Sequence, residues 1–253
     1  MMSLIIPLAI AYLLIMAGFL LWSPLLKGRR TLSPQLLELS ITAGGAFLLG
    51  ICFTDLVPEA FDSSESSLLT ASFVLLGLVV QIVIDYLTDG AEHGHHHQEE
   101  QIGMHTNVER HFPLLGLMLG LCIHSFFEGI PLARYDDGIV IDRPLMLGIV
   151  LHNIPIGYIL VQMLRQNQIK VGKGIALLLL LAIMTPLGSL LGLTVLPECS
   201  EQVEACAIAF VVGILLHVSL SLLFDHQHHR FSWSKLTVIV VAFVLVIVLS
   251  FSA

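Results

Sequence analysis

His124 and Glu128 stand four residues apart in IHSFFEGIPL, residues 123–132, and His152 heads a similar frame in LHNIPIGYIL, residues 151–160. A separation of four puts His124 and Glu128 on one face of a helix. An imidazole nitrogen and a carboxylate oxygen so placed form half of a site for zinc or a similar divalent ion. His152 offers a further nitrogen, and Asn153 a side-chain carbonyl. Ser125 is a further oxygen, although on local grounds its hydroxyl bonds the carbonyl four residues back. Pro131 and Pro155 each withdraw a donor from the carbonyl four residues earlier, which predicts kinked helices with backbone oxygen near the polar residues. Gly129 and Gly157 are expected to let these two helices approach each other closely.

The surroundings of these residues are apolar. The chain of 253 residues is 56% apolar and 12% charged, with a mean hydropathy of +0.91. That is the composition of an integral membrane protein, since a span needs about 20 apolar residues. Eight helical spans are predicted: Leu4 to Leu26, Gln35 to Val57, Leu68 to Leu87, Phe112 to Ala133, Leu145 to Leu164, Gly174 to Leu196, Ala205 to Phe224, and Leu236 to Phe251. The runs are too long and too uniform for membrane strands. The expectation is an all-α membrane domain over residues 1–253, with a cytoplasmic loop at 89–111 between the third and fourth spans. The first run has no basic residue before it, so it reads as a retained helix and not a leader.

Nine of the eleven lysines and arginines fall in alternate loops: Lys27, Arg29, Arg30, Arg110, Arg165, Lys170, Lys173, Arg230 and Lys235. The positive-inside tendency makes that side cytoplasmic and both termini extracytoplasmic, in a cell membrane. The opposite loops carry Glu59, Asp62, Glu65, Glu198, Glu201 and Glu204, an acidic rim that attracts cations or merely solvates the loops.

An ionised carboxylate at mid-bilayer costs about 2.5–3.5 kcal/mol, so Glu128 must face a polar interior or a ligand. Intramembrane histidines are as often interhelical hydrogen-bond partners as ligands, and both readings stand for His217. His93, His95, His96 and His97 sit in a polar loop suited to loose metal binding, or to being a hydrophilic linker. Asp55 reads equally as an outer relay ligand or as a local cap, and Glu59 and His217 are further relay candidates. Asp85, with Asp225 and His226, is the inner counterpart of Asp55. Cys199 and Cys206 share an outer loop and pair only if geometry and an oxidising compartment allow it.

The chain resembles the ZIP family of divalent-metal transporters, in its bacterial-type form. The resemblance rests on HSFFEG at 124–129, HNIPIG at 152–157, TPLGSLLG at 185–192, DLVPEA at 55–60, the eight spans and the histidine-rich loop. It implies a carrier of Zn2+, with Fe2+ and other divalent ions as alternatives, moving its cargo into the cytoplasm by alternating access. It also implies a homodimer and helix-borne metal ligands. Partners are then lipid, the ion and a second copy, with no nucleic acid and no cofactor beyond the transported metal. Family members place a glutamate where this chain has Ile156, and often another where it has Thr185. With both anions missing, a second neighbouring ion would meet uncompensated repulsion. One site is therefore predicted, from His124, Glu128 and His152, completed by water or Asn153.

Two other readings are weighed. One is an intramembrane zinc hydrolase built on His124, His152 and His217, with Glu128 or Asp225 activating water. The chain has no H-E-x-x-H, and the paired proline and glycine positions favour a path over a catalytic cage, so the expectation is not an enzyme. The other is a metal sensor that no longer transports, suggested by Ile156 and Thr185.

Overall fold

The computed structural model describes residues 33–88, 112–135, 139–224 and 232–251. The expected first span, the loop at 89–111 with His93, His95, His96 and His97, and the pair Asp225 and His226 all lie outside these residues. Seven long apolar helices are present: α1 Pro34–Asp62, α2 Ser67–Leu87, α3 Phe112–Gly129, α4 Arg143–Gln166, α5 Val171–Val195, α6 Glu201–Phe224 and α7 Trp233–Ser250. Each covers one of the expected spans from the second to the eighth. The expected fourth and fifth spans are thus α3 and α4.

Local chemistry sets the ends. Ser33 caps α1 by accepting the Leu36 N–H at 3.2 Å, with Pro34 in the first turn. Asp142 caps α4 through the Leu145 N–H at 2.8 Å, with Pro144 in its first turn. Both follow the preference for short oxygen-bearing caps and early proline. Pro58 cannot donate to the Thr54 carbonyl, and just before it α1 opens into a π turn over Cys52–Leu56.

One expectation is corrected at the end of α3. Pro131 does not kink a continuing helix. The α-helix stops at Gly129, a 3-10 turn covers Ile130–Leu132, and the chain enters a hairpin. Two short antiparallel strands, β1, Ala133–Tyr135, and β2, Ile139–Ile141, are added to an architecture that is otherwise helical as expected. They turn the chain back into α4.

Lipid is as apolar as leucine, so helices in a bilayer hold together where small residues allow backbones to meet. The helices pair on this basis. α2 lies on α6, where a methyl group at Gly77 would fall 1.9 Å from the Phe210 carbonyl oxygen and one at Gly213 would fall 2.0 Å from that of Val74. α3 lies on α5, where methyl groups at Gly188 and Gly129 would stand 1.9 and 2.1 Å from the carbonyl oxygens of Phe126 and Thr185. Gly129 therefore serves contact with α5 and not the expected contact with α4.

α1 is central, packing on α4, α6 and α7 and contributing Phe47, Leu48, Ile51 and Leu56 to the fully buried core. α3 and α4 touch each other sparingly. The outward faces of α2 and α7 expose apolar residues such as Leu75, Val79, Val241 and Val248, as membrane-facing helices do.

Candidate metal centre

One group of three metal-type donors occurs among the described residues: His124, Glu128 and His152, all buried, with one ligand atom from each lying within 4.8 Å of the others. His124 and Glu128 come from successive turns of α3. His124 Nε2 lies 3.4 Å from Glu128 Oε2. His152 reaches across from α4, its Nε2 3.2 Å from the same Oε2. The two rings stand edge to face with centroids 5.9 Å apart.

His152 is oriented by its own helix. Its Nδ1 bonds the Gly148 carbonyl at 2.9 Å, and since a carbonyl only accepts, Nδ1 carries the proton. In the metal-binding tautomer the lone pair then lies on Nε2, the atom that faces Glu128. Glu128 Oε2 and His152 Nε2 are both buried and make no hydrogen bond. With the ring neutral, Nε2 and Oε2 are two acceptors 3.2 Å apart, an arrangement that a cation between them would relieve. Four-coordinate zinc, with donors at about 2.0–2.1 Å, sets its donors about 3.3 Å from one another. The separations of 3.2 and 3.4 Å suit such an ion.

The other carboxylate oxygen is occupied. Glu128 Oε1 accepts from Thr185 Oγ1 at 3.1 Å and from Asn153 Nδ2 at 3.3 Å. Asn153 thus presents its amide nitrogen to the carboxylate. Thr185, read from sequence only as a lost anion, is a donor to the surviving one. The sequence signals for it were its place in the TPLGSLLG frame and its being a polar residue before Pro186 in an apolar helix. Ser125 is buried beside His124 and takes no part in either bond to Glu128.

The remaining candidates stand apart from this cluster. His217 Nε2 pairs with Asp85 Oδ2 at 2.6 Å, joining α6 to α2, and Gln81 Nε2 reaches Asp85 Oδ1 at 3.2 Å. Of the two readings kept for His217, the geometry displays the interhelical bond. The trio His124, His152 and His217 required by the hydrolase reading does not gather. Asp55 accepts from Ser250 Oγ at 3.1 Å. Glu59 is bridged by Arg134 at 2.8 Å. Burial pushes the Asp142 carboxyl above its ordinary value, its bond from the Leu145 N–H opposes this, and the Asp55 carboxylate adds to the rise. Cys199 and Cys206 are both free thiols, the first donating to the Val195 carbonyl and the second accepting from Gln202.

A family model described as ZIP zinc transporter matches residues 85–250, a stretch that contains every residue of the cluster. The chain belongs to the ZIP zinc transporter family. No curated protein matches it. ZIP proteins are membrane transporters of divalent metal and not enzymes, which agrees with the apolar helices described above.

Proposed function

We propose that this ZIP protein carries Zn2+, with Fe2+ as the second candidate cargo, across the cell membrane into the cytoplasm through one ion site formed by His124, Glu128 and His152. The observation that carries this reading is the convergence of three buried donors on one point, with Glu128 Oε2 and His152 Nε2 lacking any hydrogen bond. Nitrogen donors with one carboxylate suit zinc and neighbouring first-row ions better than Mg2+ or Ca2+, which prefer all-oxygen shells. A single carboxylate offsets only one of the ion's two charges, and an ion that must be released cannot be held too tightly.

Ile156 supports one ion per chain, because it supplies no donor one turn beyond His152 and packs against the apolar core. Asn153 steadies the carboxylate from behind, and a water fills the ion's fourth position. Asp55 serves in this scheme as an outer relay, and the chain is taken to work against lipid as a homodimer.

The test is transport. Purified protein in liposomes, given an inward zinc gradient and an enclosed fluorescent chelator, should pass zinc, and His124→Ala and Glu128→Ala should abolish the flux. Flux that persists in both variants overturns the reading. Tight binding of zinc without flux in the native chain would turn it into a sensor.

A further inference from the structure

We propose that Thr185 is a specificity-determining residue. With Asn153, it holds Glu128 as a monodentate ligand and so favours a small four-coordinate cation over larger ones that use both carboxylate oxygens. The inference rests on the reading of His124, Glu128 and His152 as the ion site.

A carboxylate oxygen has two lone pairs. At Glu128 Oε1 both are engaged, by the Thr185 hydroxyl at 3.1 Å and the Asn153 amide at 3.3 Å. Oε2 alone is open, and it is the oxygen that both histidine nitrogens approach. All three groups are buried, Thr185 and Glu128 being 1% and 0% exposed, so water does not compete for these bonds. Rotating the carboxylate to chelate an ion would strip Oε1 of two donors and strand them in an apolar interior, at a cost water cannot offset.

The position of Thr185 is not left to a flexible side chain. The Thr185 backbone lies so close to Gly129, the neighbour of Glu128, that a methyl group at Gly129 would fall 2.1 Å from the Thr185 carbonyl oxygen. Further contact of Gly188 with Phe126 and of Gly192 with Ile130 fixes α5 along α3 and the 3-10 turn that follows it. The hydroxyl is therefore delivered to Oε1 by backbone packing. Zinc loses little, because it takes monodentate carboxylate in four-coordinate sites. Mn2+ prefers more oxygen and higher coordination, and is denied the second oxygen.

The experiment titrates the full chain in detergent with Zn2+ and, separately, Mn2+, for the native protein, Thr185→Val and Thr185→Ser. Valine keeps the shape without the hydroxyl, and serine keeps the hydroxyl. Zinc affinity is expected to fall by about tenfold in Thr185→Val, the lower end for loss of a partner behind a metal ligand. Mn2+ affinity holds or rises, so the preference narrows, and Thr185→Ser restores it. Bound Co2+ gives a second readout: the intense visible bands of a four-coordinate ion should weaken in Thr185→Val as a fifth donor enters. An unchanged Zn2+ to Mn2+ ratio in Thr185→Val, whether both affinities fall together or neither moves, overturns the selectivity role and leaves the ion site standing. Zinc binding that survives both His124→Ala and Glu128→Ala overturns the ion site and the inference with it.

Discussion

Gly44 of α1 lies directly against the backbone of His152, so closely that a methyl group there would fall 2.7 Å from the His152 Cα. The place of one metal-type donor is thus set by the absence of a side chain on another helix. Gly44→Ala should push α4 outward, with an overpacking cost of about 1–3 kcal/mol. Zinc affinity should drop along with the melting temperature of the metal-free protein, as read by titration and by a thermal melt in detergent. A variant that melts early but binds zinc normally would show that His152 is not positioned through this contact.

Ile156 stands one turn beyond His152 on the same face of α4. Ile156→Glu would add an anion there and offset the repulsion that, on the proposed one-ion reading, excludes a second ion. Elemental analysis should find one tightly held divalent ion per native chain and two per variant chain.

His217 and Asp85 form an interhelical pair outside the cluster. Polar pairs of this kind contribute about 0.6–1.7 kcal/mol in membrane proteins. A double-mutant cycle with His217→Leu and Asp85→Asn should return a coupling in that range. Equilibrium zinc content should stay unchanged throughout.

The bridge from Arg134 on β1 to Glu59 on α1 has side chains 54% and 26% exposed. Such a pair contributes about 0–1 kcal/mol and is screened by salt. Arg134→Gln should lower the melting temperature slightly at low ionic strength, and the difference should vanish in high salt.

Asp142 carries a carboxyl whose pKa is raised from 3.8, burial being the largest cause. A raised value means the folded protein holds this proton longer than the unfolded chain does. Its contribution is therefore favourable at low pH and is lost as pH rises from about 4 through the folded value. Asp142→Asn keeps a good cap on α4 and removes the charge facing Asp55. Its stability should exceed that of the native protein at neutral pH and lose this part of the acid-range pH dependence, as followed by chemical denaturation.

The run lengths alone are enough to find the seven described helices, because a bilayer demands long uninterrupted apolar segments. The pairing of His124 with Glu128 was equally plain, since four residues make one turn. Which helix meets which was not. In a bundle whose helices are apolar on every side, periodicity does not point to a partner. Gly129 consequently read as a contact for α4, whereas its neighbour is Thr185 on α5. The role of Thr185 was hidden for the same reason, as a hydroxyl becomes a donor to Glu128 only once α3 and α5 are known to touch. The strand pair at 133–135 and 139–141 is not legible in the sequence because strands of three residues are too short to display alternation.

α3 and α5 are locked together by backbone contact, α1 and α4 likewise abut at Gly44, and α3 and α4 share little surface. His124 and Glu128 belong to the first couple, His152 to the second. A cation held among them is then a rivet between two plates. On the proposed reading, loading would stiffen the assembly, and a displacement of one couple against the other would part the donors without bending any single helix.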